Sequence, residues 1–483
     1  MKTNYLFNVI VFSCCVIHTL HTQAQSAYQE IGLTDKTAFT DNTVNWKIAG
    51  DIWYNPYRNK LKEEAGTGIL LNSSSGNSQA PLITKMEHGN MLLEFDFMLA
   101  PHASATVYLQ GRYGIRLTDS WTNKNPIAQA CGTILNENLK SDAGEIQHAL
   151  NISPRSNVAR APGLWQHLLA VFQAPQFDAN GNKKSNARLL QVALNGVLIH
   201  EDIILPYIAS DAPFKSESKT GPLVFSTGNR MAFKNIRYTF FQDAEKEKVL
   251  MPVPVPVNGN TPLIVTPVNE TILQRCFLGT KDHKMTVCAV IGEPGQIHYG
   301  INLEQGSIIR LWKGDFIDAT TMWESRGEIQ LARPLGSVIS LPSQPQVAQL
   351  ANDQLPWPEL TQKEYKFKGY FLDKQGRPVF NYTFNGLQIS DQTVPSDDDR
   401  ILTRTLQFGN NPAGNNLWIR LATGDKIEQL ENGLYAVNNK SYYLRLDGKK
   451  QRGAILRNIN GREELIMPAS ALSGRGLTWS YIW

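Results

Sequence analysis

Two arginines on one strand are the residues best suited to chemistry. In Gly111-Arg112-Tyr113-Gly114-Ile115-Arg116-Leu117-Thr118-Asp119-Ser120, strand alternation puts Arg112, Gly114 and Arg116 on one face and Tyr113, Ile115 and Leu117 on the other. Two guanidiniums projecting together can hold hydroxyls, a carbonyl or a carboxylate through paired N–H donors. Asp119, closing the run, and His148, in a later loop, are the candidate bases. The bland alternative is a solvated sheet face with surface ion pairs, and the residue types leave both open.

Candidate substrate contacts surround this strand. Tyr108 precedes it, Arg155 and Asn157 lie in the loop Pro154-Arg155-Ser156-Asn157, Trp165 leads the next apolar run, and Asn229 follows a later strand. Trp165 suits a core position before a sugar platform. His200 and Glu201 are adjacent on a strand, so they face opposite ways and form no dyad. Farther on, Trp312, Trp323 and Trp357 offer aromatic faces that stack on the C–H faces of sugars, or anchor β cores. Asp315, Asp318 and Glu324 sit among them and either line a groove, bind a cation or lie solvated. No Cys-x-x-Cys-His or zinc-type spacing occurs, so no cofactor is expected, while a divalent metal stays open.

The elements that must position these groups are strands. Leu92-Leu93-Glu94-Phe95-Asp96-Phe97-Met98 alternates, placing Phe95 and Phe97 on a buried face. Val107 to Leu117 and Phe233 to Phe240 alternate similarly, and Asn195-Gly196 supplies the positive φ angles of a tight hairpin. No sustained helical period appears, and the 25 prolines and 36 glycines are spread along the chain, as many short strands require. The fold expected is all-β: a sandwich over residues 28–241, a Pro-Val-rich linker over 242–270, and a β-rich, sandwich-like domain over 271–483 that divides near 410 or forms one unit.

The 483 residues exceed one ordinary core, and 19% charged residues with a net charge of +4 and no basic block argue against nucleic acid as partner. Lys2, the apolar run Tyr5 to Ile17 and Thr22-Gln23-Ala24 read as a signal peptide over residues 1–24, which predicts a periplasmic or secreted protein. The apolar run is too short to span a bilayer, so an integral membrane protein is not expected; a lipid anchor on Cys14 or Cys15 is the lesser alternative. Of the other cysteines, Cys276 and Cys288 flank a hairpin loop and either bridge or pack as small hydrophobes, and Cys131 reads as a buried thiol.

Three motifs carry a resemblance. Ala161-Pro162-Gly163-Leu164-Trp165-Gln166, Ala174-Pro175-Gln176-Phe177-Asp178 and Asn195-Gly196-Val197 occur in the order typical of the bacterial 3-keto-disaccharide hydrolase domain family, and Pro154-Arg155-Ser156-Asn157 matches a Pro-Arg-x-Asn signature of its members. The resemblance implies a concanavalin A-like jelly roll that cleaves the glycosidic bond of a sugar already oxidised to a 3-ketone, so the expected partner is an oxidised disaccharide or glycoside. The ketone acidifies the neighbouring C–H; a base removes that proton and the aglycone departs. Arg112 and Arg116 would hold the enolate, with Asp119 or His148 as base.

The chain departs from the family twice. Relatives carry Tyr-Glu-x-Gln where this chain has Tyr113-Gly114-Ile115-Arg116, and Leu-Gln-x-His-Gly where it has Val224-Phe225-Ser226-Thr227-Gly228-Asn229. These losses point to a rival reading, a non-catalytic carbohydrate-binding or scaffold protein. Over residues 271–410, Trp312-Lys313-Gly314-Asp315-Phe316, Trp323, Arg326-Gly327 and Phe367-Lys368-Gly369-Tyr370 are similar to a β-rich module that follows such domains in large secreted bacterial dehydrogenase and cytochrome assemblies.

Overall fold

A computed structural model describes residues 28–40, 45–55, 58–73, 80–123, 129–136, 151–227, 230–242, 261–280, 282–323, 330–359, 364–396, 398, 400–409, 416–446, 453–472 and 476–483. The expected signal peptide, His148, Asn229, Glu324 and the Pro-Val run up to residue 260 lie outside them.

Period-two alternation becomes two antiparallel sheets in the first lobe. The large sheet runs in the order Val197–Leu205, Ala187–Leu194, Trp165–Gln173, Met91–Leu99, Met231–Phe240, Arg58–Asn72, Trp46–Asn55, with Gln29–Glu30 also paired to Met231–Phe240. The small sheet runs Leu82–His88, Gly221–Thr227, Ser104–Leu109, Tyr113–Thr118. Phe95 and Phe97 are fully buried between the sheets, Phe95 meeting Phe225 and Phe233 edge-on. The Asn195-Gly196 turn has φ of 52° and 81°, the paired positive angles of a two-residue hairpin. The fold is a jelly-roll-type β-sandwich.

The second lobe is also β, with one four-residue α-helix, Thr320–Trp323, and short 3-10 turns at Glu431–Gly433 and Ala469–Ala471 among its described residues. Its largest sheet joins Tyr365–Leu372, Pro378–Phe384, Leu387–Pro395 and Ile401–Phe408 to Gly476–Ile482, Tyr442–Leu446, Leu434–Val437 and Ile427–Gln429. That sheet draws strands from both sides of residue 410, so the described parts share one unit there. Within the segment expected as linker, Ile264–Val265 is a strand pairing antiparallel with Ile317 and Asp318. Proline is tolerated on an edge strand, which lets this part of the Pro-rich segment join the second lobe.

The lobes touch broadly. Ala161 and Leu164, from the Pro-Gly turn of the first, pack into the core of the second. Gly163 has φ of 81°, and a Cβ there would lie 2.7 Å from Tyr54 O and even closer to the Tyr443 hydroxyl, so only glycine fits this close approach. Tyr443 donates to Pro162 O at 3.0 Å, and Lys313 to Trp121 O at 3.0 Å. Burial pulls the Lys313 ammonium down to about 8.

Candidate functional site

The face that the two arginines were expected to share is the outer surface of the small sheet. Tyr113, Ile115 and Leu117 point into the core, as alternation requires, and Arg116 lies half-buried on the other side, opposite Thr106. The face is not an open cleft. Tyr108, Leu135, Ala209, Ala212 and Val224 close over it as a small buried cluster of their own. A Cβ added to Gly114 would lie 2.9 Å from Leu135 Cδ1, 2.9 Å from Thr106 Cγ2 and 3.0 Å from Tyr108 Cε1. The position at which relatives carry a glutamate is therefore filled.

Several expected site residues turn out to have structural work instead. Arg112 is not on the strand with Arg116. Gln110 and Gly111 take φ of 52° and 67°, ending the strand early and putting Arg112 in the turn. Its buried guanidinium donates to the backbone oxygens of Ser216, Gln110 and Thr220 and lies over the Phe214 ring, so it ties down the loop before Gly221. Tyr108 is buried with its hydroxyl 3.5 Å from Asp211 O. Asn157 is buried as well: its amide donates to the carbonyls of Ser120 and Asn123 and accepts from the Ser120 hydroxyl. Asp119 accepts from the backbone N–H of His102 at 2.9 Å and of Trp121 at 3.4 Å, closing a turn.

The tryptophans divide. Trp165 is buried in the sandwich core, with Lys234 Nζ 4.1 Å from its ring centre. Trp312 is 0% exposed, stacked on Phe316, and donates its indole N–H to the carbonyls of Asp315 and Phe316. Neither offers a face to sugar, because each ring is buried among core side chains. Trp323 is 60% exposed. It rims an open groove of about 540 Å³ with Gln274, Arg275, Cys276, Phe277, Thr286, Met322 and Gln330. Arg155 is exposed and pairs with Glu201 at 3.5 Å. His200 points the other way, into the protein, hydrogen-bonding Gly132 O. Asp318 is buried and bonded to Thr320, and no cluster of three metal-ligating groups occurs among the described residues.

Among the described residues, Cys131, Cys276 and Cys288 are buried, free thiols. Cys276 and Cys288 stand directly opposite one another on paired strands. Burial pushes each up to about 12.

Two polar constellations went unread in the sequence. On the outer face of the large sheet, His167 Nδ1 lies 2.9 Å from Asp96 Oδ1, Asn235 donates to Asp96 at 2.6 Å, and Arg237 pairs with Glu94 at 2.6 Å. Burial would raise the Asp96 carboxyl, but the His167 and Asn235 hydrogen bonds outweigh it and hold the group below its ordinary value. Between the lobes, Asp51 accepts from Lys440 and Lys426, and Glu428 pairs with both lysines beside the Trp53 ring. The signal was present in the alternation of Asp51-Ile52-Trp53-Tyr54-Asn55.

Comparison with known proteins bears on the first lobe. The solved structures named below are similar to the chain at low identity. Two provisionally assigned glycosyl hydrolases of Parabacteroides distasonis are 15% identical; they cover 50% and 44% of this chain and all of their own, with TM-scores of 0.29 and 0.26. The binding domain of botulinum neurotoxin serotype D is 11% identical, with 94% of this chain and 96% of that one covered and a TM-score of 0.25. No curated protein matches the chain. No helix among the described residues is long and apolar enough to cross a membrane. A family model, that of the 3-keto-alpha-glucoside-1,2-lyase-like domain, matches residues 35–239, which span most of the first lobe.

Proposed function

We propose that this chain is an exported carbohydrate-binding protein whose lyase-like lobe does not use the family's catalytic face. The exposed Trp323 indole carries the binding side of this reading. An aromatic face beside Arg275, Gln274 and Gln330 is the combination that recognises a sugar, the ring taking its C–H face and the polar groups its hydroxyls. The filled position at Gly114 carries the other side: a general acid or base has no room where relatives place one. Export rests on the N-terminal run ending at Ala24, and cell fractionation tests it.

Cleavage of 3-keto-glycosides is the second reading, favoured by the family match and by His167. An imidazole whose Nδ1 is held by a carboxylate presents Nε2 as an oriented proton acceptor. One experiment separates the two. Purified protein is titrated with neutral oligosaccharides and incubated with 3-keto-glucosides. The binding reading expects affinity that falls about tenfold in Trp323→Ala, with no product formed. Turnover that disappears in His167→Ala would establish the lyase instead.

A further inference from the structure

The hairpin of Trp46–Asn55 and Arg58–Asn72 has two unlike faces. Ile52 and Tyr54 are buried in the first lobe, while Asp51, Trp53 and Asn55 turn outward by strand alternation. Lys62 stands directly across from Trp53 in the strand register, and Lys60 follows on the same face. The opposite wall comes from the second lobe, as Gln429, Leu430 and Glu431, and the walls enclose a cleft of about 360 Å³. That volume suits one or two sugar rings, and lobe junctions are where ligand clefts commonly form.

Beside the cleft the charges cancel. Asp51 and Glu428 are matched by Lys426 and Lys440, and Lys440 Nζ lies 4.8 Å from the Trp53 ring centre, which fixes the indole in place. The cleft lining itself is not balanced. Lys60 is 3.9 Å from Glu431, and Lys62 has no ion-pair partner among the described residues. A fixed aromatic ring with a spare ammonium across from it, and amide groups at Asn55 and Gln429, matches a sugar ring bearing a carboxylate.

We propose that this inter-lobe cleft binds an anionic sugar, a uronate-containing oligosaccharide, with Trp53 under the ring and Lys62, helped by Lys60, at the carboxylate. The proposal rests on the reading of the chain as a carbohydrate binder, and it names a site separate from the Trp323 groove.

The test is calorimetric titration of the full chain with trigalacturonate and with its carboxyl-reduced, neutral counterpart. The acidic sugar should bind about tenfold more tightly, since a charge-assisted hydrogen bond to an ammonium is lost in the neutral one. Added salt should shrink the difference. Lys62→Glu, an exposed change that leaves the fold intact, should abolish the preference, and Trp53→Phe should weaken binding less than Trp53→Ala. Trp323→Ala should leave the preference unchanged. Equal affinity for the two sugars, or a preference indifferent to Lys62→Glu, overturns the proposal. Neutral sugars binding through Trp323 while uronates fail overturns the cleft alone; no sugar binding at all overturns the carbohydrate reading with it.

Discussion

Lys440 of the second lobe places its ammonium 2.8 Å from the Asp51 carboxylate of the first, and its side chain is only 5% exposed. A buried ammonium is costly to leave without its counter-ions, so this pair joins the lobes more firmly than a surface ion pair could. With the Pro162–Tyr443 hydrogen bond and the Ala161 and Leu164 contacts, it gives the two lobes a shared, partly buried interface.

Asp51→Asn should therefore destabilise the whole chain. Glu428 still faces Lys440 at 3.0 Å, which reduces the loss below that of a fully orphaned charge. About 2 kcal/mol is expected. Burial alone would raise the Asp51 carboxyl, but the hydrogen bond and charge of Lys440 hold it below its ordinary 3.8. Its stabilisation is thus present above that ordinary value and lost as pH falls through the lower folded one. Urea denaturation at neutral pH checks the size of the loss. A variant as stable as the parent would show that the inter-lobe web is incidental.

Three histidines predict a second pH response. Burial lowers His88, His200 and His298 from 6.5 to about 4. His88 Nε2 accepts from the Gln110 N–H while Nδ1 faces Gly89 O, and His298 Nδ1 accepts from the Glu293 N–H while Nε2 faces Gly314 O. Protonation would destroy those acceptors. The unfolded chain takes up protons near pH 6.5 and the folded chain only near 4, so stability is full above 6.5 and declines as pH falls between them. Each histidine contributes a slope of about 1.4 kcal/mol per pH unit there. Denaturation midpoints between pH 7 and 4.5 check this; a flat profile would contradict the neutral, buried assignment. His298→Gln should flatten the slope by about a third.

Local rules made the sandwich legible, and nonlocal contacts hid the sites. Phe95 and Phe97 follow from period two, and Asn195-Gly196 from turn chemistry. Arg112 was misplaced because Gln110, a residue with no special turn preference, adopts a positive φ. What holds it there is distant: its side-chain amide donates to the carbonyls of His88 and Lys219. Trp312 and Trp323 have the same side chain and similar neighbours in sequence, and only packing separates the buried ring from the exposed one. Trp53 was overlooked for a related reason, since Lys440, which fixes it, lies hundreds of residues away.

Gly114 offers the sharpest test of whether this face can hold a carboxylate. Gly114→Glu would restore the carboxylate of relatives on a backbone that needs no glycine-only conformation, so crowding alone decides the result. Leu135, Thr106 and Tyr108 occupy the space, and the new carboxylate would be shut in with them. Destabilisation of about 2–4 kcal/mol is expected, with no turnover of 3-keto-glucosides. Leu135→Ala alone costs stability by leaving a cavity, but in combination it makes room for the glutamate. The double variant should therefore be less destabilised than the sum of the two single changes, a positive coupling that a thermodynamic cycle measures. If Gly114→Glu alone is as stable as the parent and cleaves 3-keto-glucosides, the face is open, and the chain is one substitution away from being a lyase.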